Sequence, residues 1–287
     1  MDLFYDILTI LGGAYALLVV YAWLLSGRRI FPKPASSYKD APNQTKLPSA
    51  DGNEISAVFL PNPEATHVVL YSHGNKQDLG RIQDFLRDLQ RHGWAVLAYD
   101  YPGYGTSSGK PSEAGCYAAI AAAYAYLITL KNFPPEKIVL YGLSLGAGPS
   151  IELASKVRVG GLIVQGAFLS AFRVQTQWRL LPWDNFNNIS KIPHVSAPLL
   201  SLHGTDDKTV PFWHGKTLND AHSGPKQHLW VKGAGHKNIL ETAPIAYWDA
   251  IEQFRKSLLP ISNANTARSS LKVHDHGVPV GNTKPTP

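Results

Sequence analysis

Gly142-Leu143-Ser144-Leu145-Gly146 is a G-x-S-x-G pentapeptide, and its flanks carry more information than its five letters. Ile138–Gly142 reads as a short buried strand, and the chain then takes helical spacing near Ala147–Lys156. A sharp strand-to-helix reversal leaves no room for a Cβ beside its centre, so glycines stand on both sides of the serine. The turn would hold the Ser144 hydroxyl out of the sheet at a helix N-terminus, where developing negative charge is favoured. A serine hydroxyl is a poor nucleophile at neutral pH and needs a base, itself oriented by a third group. With the nucleophile on such a turn, an acid and then a histidine are expected on loops after later strands. Gly204-Thr205-Asp206-Asp207-Lys208-Thr209-Val210-Pro211 and Gly233-Ala234-Gly235-His236 follow two later strand candidates in that order. Of the 11 histidines, only His236 has this placement; His73 and His203 sit before glycines at strand ends, where a structural hydrogen bond is expected. Two adjacent carboxylates compete for the acid role. The G-x-x-D-x-x-V-P spacing favours Asp207, leaving Asp206 to solvate or cap the turn.

Acyl transfer also needs donors for the oxyanion of a tetrahedral intermediate. The backbone N–H of Leu145 follows the nucleophile, and Ser72-His73-Gly74-Asn75 closes the first long strand, where Asn75 is expected to supply the second N–H. Lys76 is the alternative donor, and a plain strand-to-helix turn the alternative reading of the loop. Asp100-Tyr101-Pro102-Gly103-Tyr104-Gly105 is Gly-rich but lacks phosphate-loop spacing, and reads as structural. No H-E-x-x-H or paired-cysteine motif occurs, so neither a metal nor a cofactor is implied. Cys116 is the sole cysteine; it reads as a small buried hydrophobe and excludes an intramolecular disulfide.

The elements that must position these residues alternate along the chain. Strand candidates lie at Gln44–Leu47, Ile55–Leu60, His67–Ser72, Trp94–Tyr99, Ile138–Gly142, Leu162–Gln165, Leu199–His203 and His228–Val231. Helical patterns fall at Leu79–Arg91, Pro111–Leu130, Ala147–Lys156 and Pro244–Leu258. Short apolar runs alternating with helices predict an α/β fold, a mostly parallel sheet covered on both faces. With 287 residues, the chain accommodates one large domain over 47–260 that needs no disulfide. The tail over 261–287 is polar, rich in Ser, Asn, Thr and Pro, and is expected to be disordered.

Ile7–Leu25 carries no charge over a length that nearly matches a ~30 Å hydrocarbon core. Asp2 and Asp6 precede it where a signal peptide would have basic residues, and Tyr21 and Trp23 suit an interface. Residues 1–46 therefore read as a membrane anchor and a basic, Pro-rich linker. Arg28, Arg29, Lys33, Lys39 and Lys46 follow the span and predict that the domain lies on the cytoplasmic side. The net charge of +6 is concentrated in these flanks and the tail, so the domain lacks the basic face that nucleic-acid binding requires.

YSHGNKQDLG, DYPGYGTSSGKPSE, IVLYGLSLGAG, PWDNFNNISKI, LLSLHGTDDKTVPF and WVKGAGHKNI together resemble the α/β-hydrolase superfamily. More narrowly, they resemble the membrane-associated group of α/β hydrolase domain-containing proteins 13 and 17 and their fungal and bacterial relatives. The resemblance spans about residues 50–255 and implies the triad roles given above to Ser144, Asp207 and His236. The depalmitoylases of that group carry an N-terminal cysteine cluster for acylation, which is absent here, so a transmembrane anchor would take its place. Between Gly166 and Pro198 the chain is too short for a large cap, and Trp178, Leu180, Leu181, Trp183 and Phe186 make this stretch apolar enough to form an acyl groove, or to pack on the sheet.

The resulting expectation is an esterase or thioesterase whose acyl substrate is lipidated or membrane-presented. Serine in place of aspartate argues against epoxide hydrolysis or dehalogenation, which need a carboxylate nucleophile. A membrane-tethered interaction protein without turnover and a serine peptidase of the same fold are the alternatives.

Overall fold

The computed structural model describes residues 2–42 and 44–258; the tail from 261 lies outside the described residues. Eight strands form one sheet: β1 (Gln44–Pro48), β2 (Glu54–Leu60), β3 (Val68–Ser72), β4 (Ala95–Tyr99), β5 (Ile138–Leu143), β6 (Gly161–Gln165), β7 (Leu199–Gly204) and β8 (Lys226–Val231). Their spatial order is β1-β2-β4-β3-β5-β6-β7-β8. From β4 to β8 all pairs are parallel, while β1 and β2 join antiparallel at one edge. The eight strands fall where the sequence places them, in a sheet that is parallel except at the β1–β2 edge.

The helices are α1 (Asp2–Ile30), α2 (Leu79–Arg91), α3 (Glu113–Thr129), α4 (Ala147–Ala154), α5 (Asn188–Lys191), α6 (Phe212–Ala221), α7 (Ile239–Thr242) and α8 (Pro244–Ser257). Asp78 caps α2 by accepting from Arg81 N–H, and Leu79, Ile82, Leu86 and Leu89 bury one face of it at helical spacing. Ser112 caps α3 in the same way. The sequence reading missed α6, which follows Pro211 and carries few apolar residues.

Residues of β3, β4, β6 and β7 are buried along their whole length, as strands covered on both faces require. Two apolar clusters fill the faces. One contains Leu70, Leu97, Leu140 and Ile151; the other contains Val69, Val96, Leu86, Leu200 and Phe254. Cys116 is fully buried in the first, and burial pushes its thiol well above the ordinary range.

The chain runs from β3 outward to β4 and then crosses back to β5, so β3 and β5 are neighbours from which the chain departs in opposite directions. This is the topological switch point, where a crevice opens outside the carboxyl ends of the strands.

The N-terminal segment differs in detail from a span over Ile7–Leu25 followed by a linker. Helix α1 continues through Ile30 rather than ending near Leu25, with Arg28 and Arg29 in its last turn. The following residues are tied down. Phe31 is buried against Phe186, Ser37 N–H donates to Asp78 Oδ2 at 2.6 Å, and Tyr38 Oη donates to Asp100 Oδ2 at 2.5 Å. Lys46 Nζ donates to Ser56 Oγ and Thr106 O, both at 2.8 Å. The prolines break the helix but do not free the chain from the domain.

Candidate active site

Ser144 begins the turn after β5 with φ of +52°, a left-handed angle that L-residues with a Cβ seldom adopt. Its two glycines are sterically required. A Cβ on Gly142 would lie 2.5 Å from Gly146 O, and one on Gly146 would lie 2.0 Å from Ser72 O. The strained turn leads through one short 3-10 turn into α4, leaving the hydroxyl at the sheet's carboxyl edge.

His236 lies on the loop after β8, with Nε2 2.9 Å from Ser144 Oγ and Nδ1 2.7 Å from Asp207 Oδ2. If Nδ1 carries the proton toward Asp207, Nε2 is left to accept from the serine hydroxyl. Asp207 is buried after β7, and its Oδ1 accepts from Thr209 N–H and Val210 N–H at 2.8 Å each. Burial alone would raise its pKa. Hydrogen bonds from His203 and His236, attraction to His236 and the Val210 N–H outweigh burial and hold the carboxyl well below the usual range. Asp206 points to solvent and accepts from Thr205 Oγ1 at 2.8 Å, so the geometry separates the two adjacent carboxylates.

The loop after β3 meets Ser144 across the switch point. Gly74 N–H is taken by Gln77 Oε1 at 2.9 Å. Among the described residues, no protein acceptor meets the N–H of Asn75 or of Leu145, and both residues line the cavity that contains Ser144. Lys76 lines the same cavity with an exposed side chain.

Several further residues support this arrangement. Gly166, with φ of +58°, leaves room for His236: a Cβ there would lie 2.8 Å from its Cε1. His203 Nε2 donates to Val210 O at 2.9 Å and lies 3.3 Å from Asp207 Oδ2, which gives its expected structural hydrogen bond a place beside that carboxylate. The Asp100–Gly105 loop is structural, as expected, but what it supports is the Asn75 loop. Tyr101 Oη donates to His73 O at 2.6 Å, and Tyr104 Oη donates to Asn75 O at 3.0 Å. His73 itself is fully buried, 3.2 Å from Asp100.

Ser144 and His236 open into a cavity of about 980 Å³. Trp178, Leu180, Leu181 and Trp183 line it, as expected of the apolar stretch. Phe186 does not; it is wholly buried, packing edge-on against Phe31, Tyr117 and Phe168 and closing over Gly148. The opposite wall comes from α1, through Leu18, Tyr21, Ala22 and Leu25. Among the described residues, no cluster of histidine, cysteine or carboxylate side chains could hold a metal ion.

Residues 63–188 match the family described as Serine aminopeptidase, S33. The α/β hydrolase domain-containing protein aho-3 of Caenorhabditis elegans is 35% identical over 86% of this chain and 77% of its own. The human α/β hydrolase domain-containing protein 17B is 37% identical over 71% of this chain and 73% of its own. Among solved structures, the Pyrococcus furiosus esterase Pf2001 superposes with a TM-score of 0.65 at 19% identity, over 78% of this chain and 98% of its own. An esterase from Exiguobacterium antarcticum gives 0.57 at 15% identity, over 74% of this chain and 99% of its own. The sheet order, the glycine-flanked serine turn and these similarities agree, and the chain belongs to the α/β-hydrolase superfamily as a hydrolase of the family that includes the α/β hydrolase domain-containing proteins 17B and 17C.

Proposed function

We propose that the protein is a serine hydrolase that cleaves acyl esters or thioesters presented at a membrane, through an acyl-enzyme on Ser144. The observation that carries this reading is the continuous chain of contacts from Asp207 through His236 to Ser144 Oγ at the floor of an apolar cavity. In the proposed cycle, Ser144 Oγ attacks the acyl carbonyl carbon while His236 Nε2 takes its proton. The N–H groups of Leu145 and Asn75 hold the resulting oxyanion. His236 then protonates the departing alcohol or thiol, and the acyl group remains on Ser144. A water molecule, deprotonated by the same histidine, attacks the acyl-enzyme and releases the acid. Asp207 holds the imidazole in the required tautomer and stabilises its cation without taking the proton.

The membrane part of the reading rests on α1. The helix carries an uncharged, apolar stretch over Ile7–Leu25, is long enough to cross a bilayer, and presents Leu3, Phe4, Ile10, Leu17 and Trp23 to its surroundings. Its basic last turn favours a domain on the cytoplasmic side.

An aminopeptidase, the activity in the matched family's description, needs an acidic group to receive a substrate ammonium. Asp184 is the one carboxylate among the described cavity residues, and its Oδ1 already accepts from the N–H groups of Phe172 and Asn185. Arg28, Arg29, Lys76, Arg179 and Lys237 surround the same space, which favours acyl chemistry over recognition of a free amine. A fluorophosphonate probe should label the wild type and not Ser144→Ala. Equal labelling of both would remove Ser144 from the mechanism.

A further inference from the structure

The wall that α1 contributes to the cavity is continuous with a helix apolar enough to sit in a bilayer. Leu18, Tyr21, Ala22 and Leu25 occupy i, i+3, i+4 and i+7, one face of the helix, and all line the cavity with Ser144. Leu17, next in sequence to Leu18, is 73% exposed on another face. Composition could not reveal this stripe, because the helix is apolar all round.

The helix is held in register with the site at both ends of the stripe. Tyr15 Oη donates to Leu180 O at 3.2 Å, joining α1 to the segment that forms the opposite wall. At the other end, Asn75 Nδ2 donates to Ile30 O at 3.1 Å, so the last helical turn is bonded to the residue whose N–H faces the cavity. Between these bonds, Leu18 to Ile30 spans about 18 Å at 1.5 Å per residue. Half of a ~30 Å hydrocarbon core, the depth reached by one acyl chain, is about 15 Å. The stripe itself, Leu18–Leu25, covers about 10 Å of that depth at 1.5 Å per residue, and with Trp178–Trp183 opposite it bounds an apolar slot. Trp178 and Leu180 remain 74% and 48% exposed, as befits residues that meet lipid rather than water.

We infer that α1 is a specificity-determining wall of the acyl site: a single acyl chain passes sideways from the membrane leaflet into the slot between α1 and the Trp178–Trp183 segment, bringing its ester or thioester carbonyl to Ser144. The inference rests on the acyl-hydrolase reading above and adds to it the route and the residues that measure chain length. Helix α1 is thus a part of the binding site as well as a tether, and the active unit includes it.

The test uses the full-length chain in phosphatidylcholine vesicles, with p-nitrophenyl acetate and p-nitrophenyl palmitate as substrates. Leu18→Trp and Ala22→Trp place bulk in the slot. Each should lower the palmitoyl-to-acetyl ratio of kcat/KM by about tenfold or more, equivalent to about 1.4 kcal/mol. Leu17→Trp, on the other face, should leave that ratio at the wild-type value. Fluorophosphonate labelling of Ser144 in each variant establishes that the site is folded. A ratio indifferent to both slot substitutions, in labelled and active protein, would overturn the inference while leaving the hydrolase reading intact. A wild-type chain that hydrolyses neither ester and takes up no fluorophosphonate would overturn that reading and this inference with it.

Discussion

The floor and the walls of the cavity are built on different principles. The floor is made of strand ends. Ser144, Asp207 and the Asn75 loop follow β5, β7 and β3, and each is fixed by backbone geometry or by buried hydrogen bonds within a few residues of the sheet. The outer walls stand away from the sheet: α1 reaches the rest of the slot through the Tyr15 and Asn75 side-chain bonds, and Trp178 is largely exposed. A rigid floor suits chemistry, in which a misplacement of about 1 Å can cost 10²-fold. A wall made from side chains on a helix and a loop can change its shape without disturbing that floor.

If the comparison holds, substitutions in the floor change kcat for every substrate, and substitutions in the walls change preference among substrates. The largest effect should come from Ser144→Ala, which is expected to lower p-nitrophenyl ester hydrolysis by about 10³–10⁶-fold with an unchanged circular dichroism spectrum. Turnover near the wild-type rate would place the nucleophile elsewhere. Asp207→Asn should lower kcat by about 10⁴-fold, since an amide cannot stabilise the imidazolium, whereas Asp206→Asn should stay within a fewfold of wild type. The reverse order would exchange their roles.

A hydrogen bond once removed from the floor should cost less. Tyr104→Phe deletes the donor to Asn75 O. At about 1 kcal/mol for such a bond, kcat should fall roughly fivefold with KM little changed. A change confined to KM would mean that the Asn75 loop binds substrate without serving the transition state. In the wall, each buried CH₂ contributes roughly 0.8 kcal/mol, so kcat/KM should climb from acetyl to octanoyl esters, and Trp178→Ala should flatten the climb without lowering acetyl turnover. A wild-type preference for acetyl esters would break the assignment of this wall to an acyl chain.

Stability against pH probes the scaffold beneath both regions. His67 and His214 are buried and lowered to about 4, by desolvation first and then by neighbouring positive charges. In the unfolded chain they protonate nearer 6.5, so between these values the unfolded state binds more protons and folding weakens as pH falls. Thermal melts should therefore drop steadily as pH is lowered through that window. A flat profile would show that the native state accommodates the charged rings.

The two regions were also unequally legible in the sequence. Ser144 and His236 could be found because a glycine-flanked strand end needs particular residue types at particular spacing. Asp207 could be preferred to Asp206 by spacing, but its contact with His236 emerges only once β7 and β8 lie side by side. Gly166 shows no local oddity, since the group it makes room for is far along the chain. The tyrosines of the Asp100–Gly105 loop are opaque for the same reason: their hydroxyls serve a loop nearly thirty residues earlier. Composition groups Phe186 with its aromatic neighbours, whereas the folded chain buries it completely, at φ of +51°. The contacts of the N-terminal segment were the least legible. Uniform apolarity in α1 conceals which face packs, and a Pro-rich sequence after it conceals that Phe31, Ser37 and Tyr38 are bound to the domain.

On the proposed mechanism, the left-handed backbone at Ser144 sets activity against durability. A Cβ at φ of +52° costs about 1–2 kcal/mol, a sizeable share of the 5–15 kcal/mol that separates a folded domain from its unfolded chain. Alanine keeps this cost, so Ser144→Ala compares active and inactive protein at equal backbone strain. Glycine removes it, and Ser144→Gly should melt higher than the working protein. A copy of this chain relieved of the proposed turnover would thus have a downhill path toward glycine at this position.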